Sequence, residues 1–332
     1  MNSMRVVKAV PIETHPLVME EIPVPQPGPG QVRLHVSVCG ACHTDLHIAE
    51  GDIHPPRLPV TPGHQVVGRV DALGDEVTRP ALGSRVGIPW LHSTDRTCEY
   101  CRRGEENLCP QARFTGFHAD GGFAEYMLAQ ADFVLTLPDS ISDEQAAPLL
   151  CAGIIGYRSL KKAGLQPGER LGLFGFGASA HLAIQAALYM GCEVYVFTRS
   201  AGHQQHALQL GAAWAGGLDE TTPHLLDRAV TFAPVGSVVP QALSKLRPGG
   251  TLAVNAVSMT DLPGMPYSLI YGERTLVSVA NATYQDGVEF LDLAARAGIR
   301  STVTMYDLSD ANQALEDMKY SRINGEAVLR VR

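Results

Sequence analysis

Residues 169–200 read "ERLGLFGFGASAHLAIQAALYMGCEVYVFTRS", and this stretch decides the fold. "ERLGLFGFG" is an apolar strand running into glycines, "ASAHLAIQAALYMG" a helix, and "CEVYVFTRS" a second strand. Strand, helix and strand in close succession form a parallel βαβ unit. Gly175 and Gly177 stand where the first strand gives way to the helix, Ala178 opens the helix, and Ala180 takes the third position of a G-x-G-x-x-G/A pattern. Gly175 allows a tight turn. Gly177 lets the backbone approach a pyrophosphate, which then lies at the positive end of the helix. A dinucleotide site is expected here.

The pattern continues downstream. "HQQHALQLGA" reads as a helix, followed by "DRAVTFAP", "VVPQALSKL" and "GGTLAVNAV". Strands alternating with helices imply a doubly wound parallel sheet. Upstream the character differs. Residues 1 to about 135 read as β: "QVRLHVSVCG", "QVVGRVDALG", "SRVGIPW" and "GGFAEYMLAQ" are short, β-branched and bounded by Gly or Pro. A helix is expected from about Ser142, with "SDEQ" as its capping box. The tail has a helix in "GVEFLDLAARAG" and a closing strand in "EAVLRVR".

The chain has 332 residues, enough for two domains with separate cores. Its 45% hydrophobic and 18% charged content suits a globular protein, and a net charge of −8 argues against a nucleic-acid surface. No apolar run is long enough to span a bilayer, so no membrane partner is expected. "MNSMRVVKAV" lacks the apolar core of a signal peptide. The seven cysteines are odd in number, and three crowd into "CEYCRRGEENLC". Such spacing points to metal binding in a cytoplasmic protein rather than to disulfides.

The end of the second βαβ strand bears on which nicotinamide cofactor is used. A carboxylate there would bond the adenine ribose and favour NAD. Thr198, Arg199 and Ser200 instead offer two hydroxyls and a guanidinium, a set suited to a 2′-phosphate. The reading leans to NADP(H).

"GACHTDLHIAEGD", residues 40–52, gathers one cysteine, two histidines and two aspartates. By itself it fits a metal site, a redox thiol or a polar loop. "TPGHQVVG" places His64 just before a strand, and "PLLCAGIIGY" places Cys151 at the end of the first region. Spacing alone does not join these residues.

The ordered set "CHTDLH", "PGHQ" and "LLCAG", followed by the Gly-rich βαβ unit, resembles the medium-chain zinc-dependent alcohol dehydrogenases over nearly the whole chain. The resemblance implies an α/β protein of two domains. One is a GroES-like, mostly-β catalytic domain over residues 1–152, completed by 287–332. The other is a doubly wound Rossmann cofactor-binding domain over 153–286. It implies that Cys42, His64 and Cys151 hold a catalytic zinc. Two thiolates and an imidazole are ordinary zinc ligands and leave a fourth position for water or substrate. Cys39 is read as structural.

By the same resemblance, Thr44 bonds the substrate oxygen and starts a proton relay that His47 ends at solvent. Asp45 orients His64. His43 contacts the cofactor pyrophosphate. Val257 and Asn281, in "VNAVS" and "VANAT", belong to the stretches whose backbone holds the nicotinamide carboxamide. Trp90 lines the substrate pocket, which it narrows in favour of primary alcohols, linear or benzylic. Asp95, Cys98, Cys101 and Cys109 match a structural zinc lobe, with aspartate where the family has its first cysteine.

Two positions depart from the family. Gln65 follows the histidine ligand where a glutamate is usual, leaving the site less negative, with a stronger Lewis acid held less firmly. Glu326 stands where an arginine often reaches the pyrophosphate, a role that His43 or Arg322 could take over. The expected activity is interconversion of primary, including aromatic, alcohols and aldehydes with NAD(P)(H). The alternatives are a secondary-alcohol or polyol dehydrogenase, a zinc-free quinone reductase, and a non-enzymatic binding protein of this fold. The resemblance also implies a homodimer or homotetramer.

Overall fold

Gly175 turns the chain from strand to helix at a φ of +89°, a region closed to most residues bearing a side chain. A Cβ added there would lie 3.1 Å from the Ala233 amide nitrogen. In the computed structural model, which describes residues 1–323 and 325–331, the strand Arg170–Phe174 leads into this turn and the helix Ala178–Tyr189 leads out. Six parallel strands form the surrounding sheet. Their spatial order is Trp214–Gly216, Glu193–Phe197, Arg170–Phe174, Leu226–Thr231, Leu246–Val254 and Thr275–Ser278. Numbered along the chain this is 3-2-1-4-5-6, the doubly wound order whose direction reverses beside the Gly-rich loop. Phe174 and Phe197 stack at 4.2 Å in its core, with Leu226, Leu243 and Leu252 fully buried around them. This unit comprises Ala152–Ala280 and Arg296–Ile299.

The other unit comprises Met1–Cys151, Asn281–Ala295 and Arg300–Arg332. Its organising element is the strand Gln31–Ala41. Buried positions alternate along its first part and become continuous toward its end. Such a change marks a strand that passes from a half-covered sheet into the interior. On one side it pairs antiparallel with Gln65–Leu73, and on the other with Tyr126–Gln130 and Glu326–Arg330. Val32, Leu34 and Val36 fill the core beneath it, together with Val66, Met127 and Leu315.

Gly40 on this strand faces Gln65 across one ladder and Val328 across the other. Immediately after the strand, Cys42 caps the helix His43–Glu50. The helix stops at Gly51, whose φ of +84° supplies a left-handed C-cap. Ser142 accepts from the Gln145 amide at 3.4 Å and starts the helix Asp143–Pro148. No helix among the described residues is long and apolar enough to cross a membrane.

Candidate metal and cofactor sites

Three elements bring Cys42, His64 and Cys151 together. Cys42 leaves the end of the long strand. His64 immediately precedes the strand Gln65–Leu73. Cys151 lies within a π-helical turn, Leu149–Gly153, between the helices Asp143–Pro148 and Ile154–Ala163. Their ligand atoms all fall within 4.8 Å of one another. Gly63 makes the approach possible. It has a φ of +95°, and a Cβ there would sit 2.5 Å from the Phe123 ring.

Asp45 is fully buried and satisfied. It accepts from the amides of Cys42 and Gly63, both at 2.9 Å, and one oxygen lies 3.3 Å from His64 Nδ1. Both ring nitrogens of His64 are buried, and among the described residues neither makes a hydrogen bond of ordinary geometry. Burial works against charge on His64, but Asp45 and Cys42 outweigh it and push the imidazole up to about 10. Cys42 is held well below the usual thiol value by its hydrogen bond with Cys151 and, against burial, by His64. Cys151 is pushed well above it by the same hydrogen bond and by burial. Two sulfurs and an imidazole with ligand atoms this close are a donor set that a divalent cation would complete. Zinc therefore fits these residues.

The neighbours of Cys42 have distinct settings. Thr44 Oγ1 lies 3.8 Å from Cys42 Sγ. His47 is partly exposed, and its Nδ1 lies 2.7 Å from Asp52 Oδ2. Asp52 stands at the end of the 40–52 stretch, but its partnership with His47 was not read from the sequence. His43 is exposed on the first turn of the helix. Cys39 is fully buried in the core, with its thiol pushed up by burial, and lies outside the cluster. Trp90 sets its ring edge-on to His64 at 4.8 Å and stacks on Phe114 at 4.9 Å.

Asp95, Cys98, Cys101 and Cys109 form a second cluster with ligand atoms within 4.8 Å. Asp95 Oδ1 accepts from the amides of Thr97 and Cys98, at 2.8 and 2.9 Å, and these bonds hold the carboxyl well below the usual range. The Cys101 thiol is pushed up to about 11, first by desolvation and then by Cys98, Cys109 and Asp95. Four such donors crowd together at a cost that a cation would relieve.

In the parallel-sheet unit, Gly177 caps the helix Ala178–Tyr189 with extended backbone, and a Cβ there would meet nothing within 4 Å. Thr198 is buried at the end of its strand, while Arg199 and Ser200 are exposed. Ser200 Oγ accepts from the His203 amide at 3.3 Å and caps the helix Ala201–Gln209. Its hydroxyl hydrogen remains able to donate. Val257 is 85% exposed in the same unit. Asn281 takes a left-handed φ of +53° and belongs to the other unit.

Arg322 is engaged by Glu316 and Asp317, at 3.2 and 3.3 Å. Glu326 is 5% exposed, and burial and then the field of Cys42 push its carboxyl well above the usual range. It is a buried neighbour of the cysteine cluster, a placement that the sequence did not announce.

Residues 28–139 match the family described as alcohol dehydrogenase GroES-like domain, and residues 180–296 that described as zinc-binding dehydrogenase. The chain is 47% identical to a protein of Mycobacterium tuberculosis named "Probable alcohol dehydrogenase AdhA", over 100% of this chain and 97% of that one. It is 37% identical to an alcohol dehydrogenase of Geobacillus stearothermophilus, over 95% and 96% of the two chains. A solved cinnamyl alcohol dehydrogenase from Sorghum bicolor superposes with a TM-score of 0.91 at 29% identity, covering 99% of this chain and 97% of that one. With both domain families matched in order and relatives aligned end to end, the chain belongs to the medium-chain zinc-dependent alcohol dehydrogenase family.

Proposed function

We propose that the chain is a zinc-dependent oxidoreductase that interconverts primary alcohols, aromatic ones included, and aldehydes by hydride transfer to or from NAD(P), with NADP(H) preferred. The observation that carries this reading is the Cys42–His64–Cys151 cluster, whose three ligand atoms lie within 4.8 Å of one another, with His64 Nε2 buried and unpartnered among the described residues. These three residues hold the metal. Zinc, when bound, supplies Lewis acidity toward a substrate oxygen.

The protein's own groups do the rest. Asp45 fixes the loop of Gly63 and the ring of His64, so the donor set is organised in advance. The Thr44 hydroxyl, beside Cys42, hydrogen-bonds the substrate oxygen and accepts its proton while releasing its own hydroxyl proton along a relay toward His47. His47, partly exposed and paired with Asp52, passes that proton to solvent. Trp90, held flat against Phe114, narrows the space beside His64 and favours a planar, apolar substituent. Open space over Gly177 leaves room for a pyrophosphate at a helix start. Thr198, Arg199 and Ser200 bond a 2′-phosphate, with no carboxylate among them to repel it. Asp95, Cys98, Cys101 and Cys109 hold a second, structural zinc.

The test measures initial rates with benzyl alcohol and 1-butanol on zinc-replete protein, with NAD and NADP in parallel. Higher kcat/KM with NADP is expected. A preference for NAD overturns the cofactor assignment. No turnover of either alcohol, against turnover of a secondary alcohol or polyol, overturns the substrate class. Metal analysis of Cys42→Ser, which should lose one zinc per chain, tests the ligand assignment separately.

A further inference from the structure

Glu326 opens the strand Glu326–Arg330, which runs antiparallel to Gln31–Ala41 with Ala327 opposite Ala41. Continued by one residue, that register brings Glu326 level with Cys42. Its side chain is buried, and among the described residues Oε1 has no hydrogen-bond partner. Burial, and then the field of Cys42, push its carboxyl well above the usual range, and Glu326 in turn raises the Cys151 thiol, penalties that a cation at the cluster would offset.

A second unpartnered oxygen belongs to Gln65, which is 1% exposed and whose Oε1 has no partner among the described residues. Gly40 lies between the two strands concerned, opposite Gln65 on one side and Val328 on the other. The Gln65 side chain folds over Gly40, where a Cβ would meet its Cβ at 3.0 Å and Nε2 at 3.1 Å. A buried carboxyl oxygen without a hydrogen-bonding partner is costly, and native structures seldom keep one without a use. Asp45 does not share this condition, because two backbone amides satisfy it.

Resting on the assignment of the Cys42 cluster as a metal site, we propose that Glu326 is a positioning carboxylate of that site, supplying from the Glu326–Arg330 strand the negative charge that the neutral Gln65 does not. Glu326 is outside the cluster whose ligand atoms crowd within 4.8 Å, so it acts by field and orientation. It strengthens the hold on the cation and offsets part of its charge. The charge lost at position 65 is thus restored from another strand.

The test is metal release. Zinc-loaded wild type and Glu326→Gln are mixed with a chromophoric chelator, and the two zincs are told apart by repeating the titration in a Cys42→Ser background. Glu326→Gln should release the Cys42-site zinc about 10-fold more readily. Release from the Asp95 site should not change. The visible spectrum of the cobalt-substituted protein should shift at the Cys42 site alone. Moving the charge back, in the double variant Gln65→Glu, Glu326→Gln, should restore retention. The double variant also carries the test should the single variant fail to fold. Release from Glu326→Gln at the wild-type rate, or fast release that the double variant leaves uncorrected, overturns the proposal. If Cys42→Ser holds as much zinc as wild type, the metal-site reading itself fails, a result distinct from equal release.

Discussion

Asp45 shows how much one side chain can fix. Being acceptor-only, it receives two backbone amides while an oxygen stays 3.3 Å from His64 Nδ1. An asparagine in its place would keep one acceptor oxygen and turn an NH2 group toward a donor. A buried amide left unpaired costs about 1–3 kcal/mol. Loss of the carboxylate beside a ligating histidine costs roughly 10–100-fold in metal affinity. Asp45→Asn should therefore lower both the apo melting midpoint and zinc affinity in a chelator competition; unchanged affinity would show that Asp45 merely fills space. A second single residue governs acid behaviour in the parallel-sheet unit. Burial, and then the charge of His206, lowers His181 from 6.5 to about 4. Between those values the unfolded chain binds a proton that the folded chain refuses. Stability is then complete above pH 6.5 and is lost as pH falls toward 4, by about 2 kcal/mol at pH 5 from this group. The melting midpoint of His181→Leu should drop less between pH 7.5 and 5 than that of wild type. Equal drops would refute the assignment.

Among the elements, the turn at 175–177 separates folding from binding within three residues. Gly175 has a φ of +89° and a Cβ contact of 3.1 Å to backbone, so Gly175→Ala is strained whatever the ligand. Gly177 has an ordinary φ of −100° and open space around its Cβ position. Gly177→Ala should cost the fold no more than about 1 kcal/mol, the difference between glycine and alanine at a helix N-cap. If a pyrophosphate approaches that backbone, the same methyl should weaken cofactor binding at least tenfold. A Gly177→Ala protein with wild-type cofactor affinity by fluorescence titration would remove the pyrophosphate from this turn. This element was legible in the sequence because strand, turn and helix are local and each follows from residues close by. The π-helical turn carrying Cys151 was not legible. Nothing in "PLLCAG" marks a widened turn, in which Leu149 and Leu150 are buried.

At the scale of the whole molecule, what could be read depended on sequence separation. The two-unit organisation and the Cys42, His64 and Cys151 set were visible through an ordered set of short motifs, although their spacing alone left them unjoined. The position of Glu326 was not, because it depends on a strand register spanning residues 41 to 327. Asp52 is hidden for the opposite reason: an exposed aspartate on a loop carries no signal of its own, and only the helix end brings it to His47. The Asp95 cluster, by contrast, is compact in sequence, and its consequence is global. It ties together a loop that spans Asp95 to Cys109 with no extended secondary structure beyond the short turns Glu99–Arg102 and Glu106–Leu108. A metal there would take the place of a core that this loop is too short to build. The wild-type chain should therefore contain two zincs, one per cluster. Asp95→Asn replaces a charged oxygen ligand with a neutral one and should leave one zinc per chain with a lower melting midpoint. Alcohol oxidation at low temperature should stay within about twofold of wild type, since the Cys42 cluster is untouched. Asp95→Cys should keep both zincs and release the second more slowly, thiolate being the softer and stronger partner for zinc. A wild-type content of one zinc, all of it lost in Cys42→Ser, would mean that Asp95 and its three cysteines hold their loop without a metal.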